Sequence, residues 1–216
     1  MSAVEAEKRA AAEKAAALVE DGMILGLGTG STVSYLLPAL AERRLSLRCI
    51  STSPQIEKAA RAIGLAIEPF DTVDRLDLAV DGADQVDPAG WVVKGGGAAH
   101  TREKIVASAS DRFVVIVSSD KLVEAIAPPI PLELLPFGVP ATLRALGVAE
   151  LRGVPPSPDG GVIADYLGAV GDPGELAERL SVIPGVVEHG LFPPELVSEV
   201  LVGRDSRVDR IVPSRA

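Results

Sequence analysis

The stretch MILGLGTGST, Met23 to Thr32, joins a short apolar run, a glycine-rich turn and a hydroxyl pair. An apolar run of that length bounded by turn residues reads as a buried strand, and Ser31-Thr32 reads as the opening of a helix. Upstream, residues 3–20 form an alanine-rich helical pattern stopped by Asp21-Gly22. Downstream, a helix is predicted from Ser31 to about Arg44, with Pro38 as either a kink or an early end. The same alternation continues through LSLRCI (strand), STSPQIEKAARAIG (turn and helix), LAIEPF (strand), RLDLAV ending at Asp81 (strand), WVVK (strand), TREKIVASAS (helix) and DRFVVIVS (strand). Repeated strand–helix units of this kind predict an α/β fold with a Rossmann-like, mainly parallel sheet.

The pattern changes near residue 127. APPIPLELLPFGVP is punctuated by proline, then come a helix (ATLRALG), a turn-rich segment (VPPSPDGG), a strand (VIADYL), a helix (DPGELAERLSVI) and two short strands. This predicts a smaller inserted α+β domain over 128–202, with 1–127 and 203–216 forming the α/β domain. RVDRIV near the end reads as an edge strand or a return to the first domain.

Composition excludes several classes. The 216 residues are 47% hydrophobic and 24% charged, which is the balance of a folded globular chain rather than a disordered one. No apolar run reaches membrane-spanning length, and the N-terminus carries acids without an apolar signal core, so a cytoplasmic location is expected and no membrane partner. A single cysteine, Cys49, rules out an internal disulfide and reads as a small buried hydrophobe. The net charge of −9 argues against nucleic acid as a partner. An anionic small molecule would need a locally positive site.

Three loops carry chemistry. In GLGTGST (Gly26 to Thr32), Thr29, Gly30, Ser31 and Thr32 can bring backbone N–H groups to an anion at a helix start. No lysine precedes the Ser-Thr pair and the glycine spacing misses the dinucleotide fingerprint, so taken alone the loop is a weak signal, and a plain tight turn with a helix cap is the alternative. DGAD (Asp81, Gly82, Ala83, Asp84) places two carboxylates at a strand end, where they can accept from hydroxyls, move protons, hold magnesium or merely form a solvated Asp-Gly turn. KGGGAAHTREK (Lys94 to Lys104) sets three glycines, Gly95, Gly96 and Gly97, between a lysine and Glu103 in a helix's first turn. Glycine there lets backbone come close to a ligand, and lysine with glutamate suits a base beside a polarised carbonyl, although a first-turn glutamate is ordinarily dipole complementation. Lys121, just after DRFVVIVS, is a further candidate, while His100 and His189 lack metal-ligand spacing and read as surface or packing groups. Trp91 reads as packing. In an open parallel sheet the loops after these strands share an edge, and together they would suit a small polyhydroxy phosphate.

GLGTGST, DGAD, KGGGAA-x-TREKI and the later IPGVVEHGLF, in this order, resemble the pattern of the type A ribose-5-phosphate isomerases over essentially the whole chain. The resemblance implies metal-free and cofactor-free interconversion of D-ribose 5-phosphate and D-ribulose 5-phosphate through an enediolate. It implies Glu103 as the base moving a proton between C1 and C2, Asp81 assisting ring opening or hydroxyl proton transfer, and Lys94 stabilising the enediolate oxygen. The 29–32, 81–84 and 95–97 loops and Lys121 would line the substrate site, with Lys8 reaching toward the phosphate. It further implies a homodimer or homotetramer. His100 and the segment AIAPPIPLELLP depart from the family's usual pattern and bear on local loop shape. A non-catalytic phosphosugar sensor and a coenzyme A transferase are the rival classes.

Overall fold

The computed structural model describes residues 2–204 and 207–213. Its first elements are α1 (Ala3–Ala16), β1 (Ile24–Leu27), α2 (Ser31–Arg43), β2 (Arg48–Ser51), α3 (Pro54–Ala62) and β3 (Ala66–Ile67). Next come β4 (Leu78–Asp81), β5 (Gln85–Val86), β6 (Val92–Val93), α4 (His100–Ser108) and β7 (Phe113–Ser118). The later elements are β8 (Ile130–Leu134), α5 (Val139–Leu146), β9 (Ala149–Leu151), β10 (Val162–Tyr166) and α6 (Pro173–Ser181). The chain closes with β11 (Val186–His189), β12 (Leu191–Phe192), β13 (Glu199–Arg204) and β14 (Arg207–Ile211).

A seven-stranded sheet runs β14-β13-β7-β4-β1-β2-β3, parallel throughout except for the antiparallel pairing of β14 with β13. The strand order turns back at β1, whose successor in sequence lies on one side and β4 on the other. Loops leaving the carboxyl ends of these two strands therefore flank a crevice. One face of the sheet packs on α1, α2 and α3 through residues such as Ala11, Leu36, Leu40 and Ile56, and the other face buries Val115, Val106 and Phe113. With both faces covered, the central strands read as unbroken apolar runs, as FVVIVS does.

Helix α1 opens with a reciprocal cap: the Ser2 hydroxyl accepts the Glu5 N–H and the Glu5 carboxylate accepts the Ser2 N–H. It ends at Ala16 rather than near residue 20. Pro38 does not end α2, which continues to Arg43. Proline forfeits one backbone bond, and the buried Leu36, Leu37 and Leu40 on the same helix hold it in place.

The later chain departs further from expectation. The proline-punctuated segment contains β8, a fully buried strand in the interior of a four-stranded antiparallel sheet ordered β11-β8-β10-β9. Proline within a run argues against a central strand because it removes a donor. Here the Pro131 carbonyl still accepts the Gly190 N–H at 2.7 Å, and the apolar Ile130, Leu132 and Leu134 build the second core with Leu176 and Leu180 of α6. WVVK does not join the parallel sheet: β6 pairs antiparallel with β5 and β12 in a separate three-stranded sheet. β13 is already back in the large sheet at Glu199, ahead of the boundary expected at 203. Of the terminal segment expected to return, 205–206 and 214–216 lie outside the described residues.

Candidate active site

The loops after β1, β4 and β7 leave the same edge of the parallel sheet, and they bring Thr29–Thr32, Gly82–Asp84 and Lys121 together. Lys94 enters from the side, off β6 of the small sheet, a route that strand-end logic alone misses. Gly95–Gly97 and Glu103 of α4 complete a cavity of about 340 Å³, and Lys8 of α1 reaches its rim. Lys8 Nζ donates to Ser31 Oγ at 2.9 Å, so two cations, Lys8 and Lys121, stand beside the amino end of α2. That is a positive corner in an acidic protein.

At the inner wall three ionisable groups share a dry space. Lys94, Asp81 and Glu103 are 2%, 2% and 3% exposed. Lys94 Nζ lies 2.9 Å from Asp81 Oδ2 and 3.2 Å from Glu103 Oε2, and it donates to the Gly82 carbonyl at 2.6 Å. Burial lowers the lysine's pKa, but the attraction of Asp81 and then of Glu103 outweighs it and the pKa is raised. Glu103 is pushed up to about 8, first by burial and then by the Asp81 charge, with Lys94 pulling back only part of the rise. Burial likewise raises Asp81 against the opposing pull of Lys94 and two amide donors.

Asp81 is not on the cavity wall. Its Oδ1 accepts the Thr29 and Gly82 N–H groups at 3.1 and 2.7 Å while Oδ2 faces Lys94, so both oxygens are engaged. It stands behind the lysine. Asp84, by contrast, lines the cavity, and its Oδ2 accepts the Gly96 N–H at 2.8 Å. Gly28 has a clear reason to be glycine: a Cβ there would meet Asp81 Cγ at 1.8 Å. Glu103 Oε2 is buried and, although near Lys94, makes no well-aligned hydrogen bond. An acceptor left open in this way is costly in a core and common where chemistry is done.

Helix α4 holds Glu103 inward because its neighbours are anchored outward. Thr101 donates to Glu133 of β8, Arg102 makes a two-point pair with Asp159 at 2.7 and 2.6 Å, and Lys104 donates to Glu188 of β11 at 2.7 Å. His100 and His189 are both buried rather than on the surface, and burial takes each pKa down to about 4, so both are neutral near pH 7. Among the described residues no group of three or more His, Cys, Asp or Glu side chains comes together to hold a metal. No helix among them is long and apolar enough to cross a membrane.

The ribose 5-phosphate isomerase A (phosphoriboisomerase A) family matches residues 48–207. A relative from Natronomonas pharaonis, ribose-5-phosphate isomerase A, is 45% identical over 221 residues, covering 95% of this chain and 96% of its own. The chain belongs to the ribose 5-phosphate isomerase A family. Solved structures of the family agree over nearly the whole fold. The enzyme from Methanocaldococcus jannaschii superposes with a TM-score of 0.88 at 34% identity, covering 95% of this chain and 97% of its own. A D-ribose-5-phosphate isomerase in complex with phospho-erythronic acid gives 0.91 at 36% identity, covering 98% and 100%.

Two further side chains bear on this site. Phe192 of β12 lies under both lysines, 5.7 Å from Lys94 Nζ and 5.0 Å from Lys104 Nζ. Arg152, after β9, reaches the first glycine of the loop. Phe192 closes the IPGVVEHGLF stretch and arrives on the three-stranded sheet, whereas Arg152 belongs to no motif and arrives through the packing of the four-stranded sheet.

Proposed function

We propose that this chain interconverts D-ribose 5-phosphate and D-ribulose 5-phosphate through an enediolate, as its family name describes. The observation that carries the reading is the buried Glu103 carboxylate with an open oxygen, paired to an ammonium at the wall of a cavity with a cationic corner. The phosphate sits at the amino end of α2, between Lys8 and Lys121. Glu103 takes the proton from C2 of the open-chain aldose; the C–H electrons form the C1–C2 double bond and O1 gains the charge. Returning that proton to C1, with loss of the O2 proton and protonation of O1, gives the ketose. Lys94 offsets the developing oxygen charge in a water-poor wall, where a fixed cation is worth far more than in solvent. Asp81 acts here by holding Lys94 and the two amides, and the hydroxyl proton transfer or ring opening falls to Asp84, whose carboxylate faces the cavity.

Phospho-erythronic acid, the ligand named for one family structure, carries a carboxylate on a four-carbon phosphate chain. Its planar pair of oxygens mimics an enediolate, which supports the same chemistry here. A cavity of about 340 Å³ suits a pentose phosphate, whereas a coenzyme A thioester would overrun it. A cytoplasmic location, expected from the sequence, and a homodimer or homotetramer, carried by the resemblance alone, are part of this reading.

The test is proton NMR of D-ribose 5-phosphate with purified protein and EDTA in deuterated water. Ketose formation with deuterium at the exchanging carbon is expected, and Glu103→Gln should lower kcat by about a hundredfold or more while still binding the phosphosugar. Binding without turnover by the unaltered protein would favour a sensor, and turnover retained by Glu103→Gln would remove Glu103 as the base.

A further inference from the structure

The glycine loop is held from a side that the chemistry above does not use. Gly95 has φ +114°, and its carbonyl accepts Arg152 Nη1 at 2.8 Å. The following amide, Gly96 N–H, donates to Asp84 Oδ2 at 2.8 Å. That carbonyl and that N–H belong to one planar peptide unit and point to opposite sides of it. Arg152 and Asp84 thus grip the same peptide from both ends.

Arg152 is well placed to do this. It follows β9 in the four-stranded sheet, its side chain is 19% exposed, and Asp165 of β10 takes Nε at 2.9 Å and Nη2 in a second, short bond. The guanidinium fork is therefore oriented by a carboxylate, leaving Nη1 aimed at the loop. A bond between two glycines meets little steric resistance to a peptide flip. Flipping it would turn the N–H away from Asp84 and bring a carbonyl oxygen to the cavity wall in its place. An acceptor there opposes the oxyanion instead of supporting it.

We propose that Arg152, oriented by Asp165, is a positioning residue that locks the Gly95–Gly96 peptide with its N–H toward Asp84, so that the second sheet sets the donor face of the catalytic loop. The inference rests on the isomerase reading. Turnover by the unaltered protein tests that reading, and the variants then test the lock.

Arg152→Ala should lower kcat by about ten- to a hundredfold, with KM changed by less than about threefold. Hydrogen exchange at the Gly96 amide, followed by NMR, should quicken by about tenfold or more while Val115 in β7 keeps its protection. Arg152→Lys should fall between, and added guanidinium should restore part of the activity of Arg152→Ala. A folded Arg152→Ala protein with kcat within about twofold of the unaltered enzyme would overturn the proposal. So would a loss of kcat with Gly96 exchange unchanged. If Arg152→Ala does not fold, Asp165→Asn, which keeps the guanidinium but loosens its aim, is judged by the same two criteria.

Discussion

Replacing Glu103 by glutamine should stabilise the protein increasingly as the pH rises. The carboxyl is buried against Asp81, and its pKa moves from an ordinary 4.5 to about 8. A group whose folded pKa is raised contributes stability that is complete below its unfolded value and is lost as pH climbs through the folded one. The window for Glu103 therefore runs from 4.5 to about 8. Each pH unit inside it costs about 1.4 kcal/mol, so between about pH 5 and about pH 8 the native protein should lose on the order of 4 kcal/mol relative to a glutamine that cannot ionise. Lys94 remains neutralised in the variant by Asp81, 2.9 Å away. Urea unfolding of both proteins at several pH values across that window measures the effect. Only the difference in pH dependence is used, so any constant difference in packing cancels. Two stability curves that stay parallel within about 1 kcal/mol from about pH 5 to about pH 8 would refute the reasoning, because Glu103 would then ionise as easily folded as unfolded.

Two further outcomes follow from the same geometry. The kcat/KM of the unaltered enzyme should fall about tenfold per unit as pH drops below about 8, because only ionised Glu103 accepts the carbon proton. That limb lies above the titration of the substrate phosphate near ~6, and an acidic limb at an ordinary carboxylate value would contradict it. Gly28→Ala drives a methyl to within 1.8 Å of Asp81 Cγ, so Asp81 must move and release Lys94 or the Thr29 amide. The expected cost is about 1–3 kcal/mol of stability together with a lowered kcat, read by urea unfolding and initial rates. Unchanged values for both would show that the loop accommodates the methyl.

Much of this protein is determined locally. The alternation of MILGLG, LSLRCI, RLDLAV and DRFVVIVS with helical stretches dictates a parallel α/β sheet, because each run must be buried on both faces and each crossover needs a helix. Turn chemistry is equally local, which is why GLGTGST, DGAD and KGGG were readable as loops, all of which line one cavity. What lay beyond reach was set by contacts between distant segments. Pro131 obscured a buried strand whose partners, β10 and β11, are remote in sequence. Lys94 reaches the site from a different sheet, and Asp81, read as a reacting group, is enclosed behind it. Arg152 lies 57 positions from the glycine whose carbonyl it holds. Periodicity and turn preference record the neighbours of a residue along the chain. Which charged side chains lose their water together, and which oxygen is left open among them, is decided only when separate elements pack and desolvate one another.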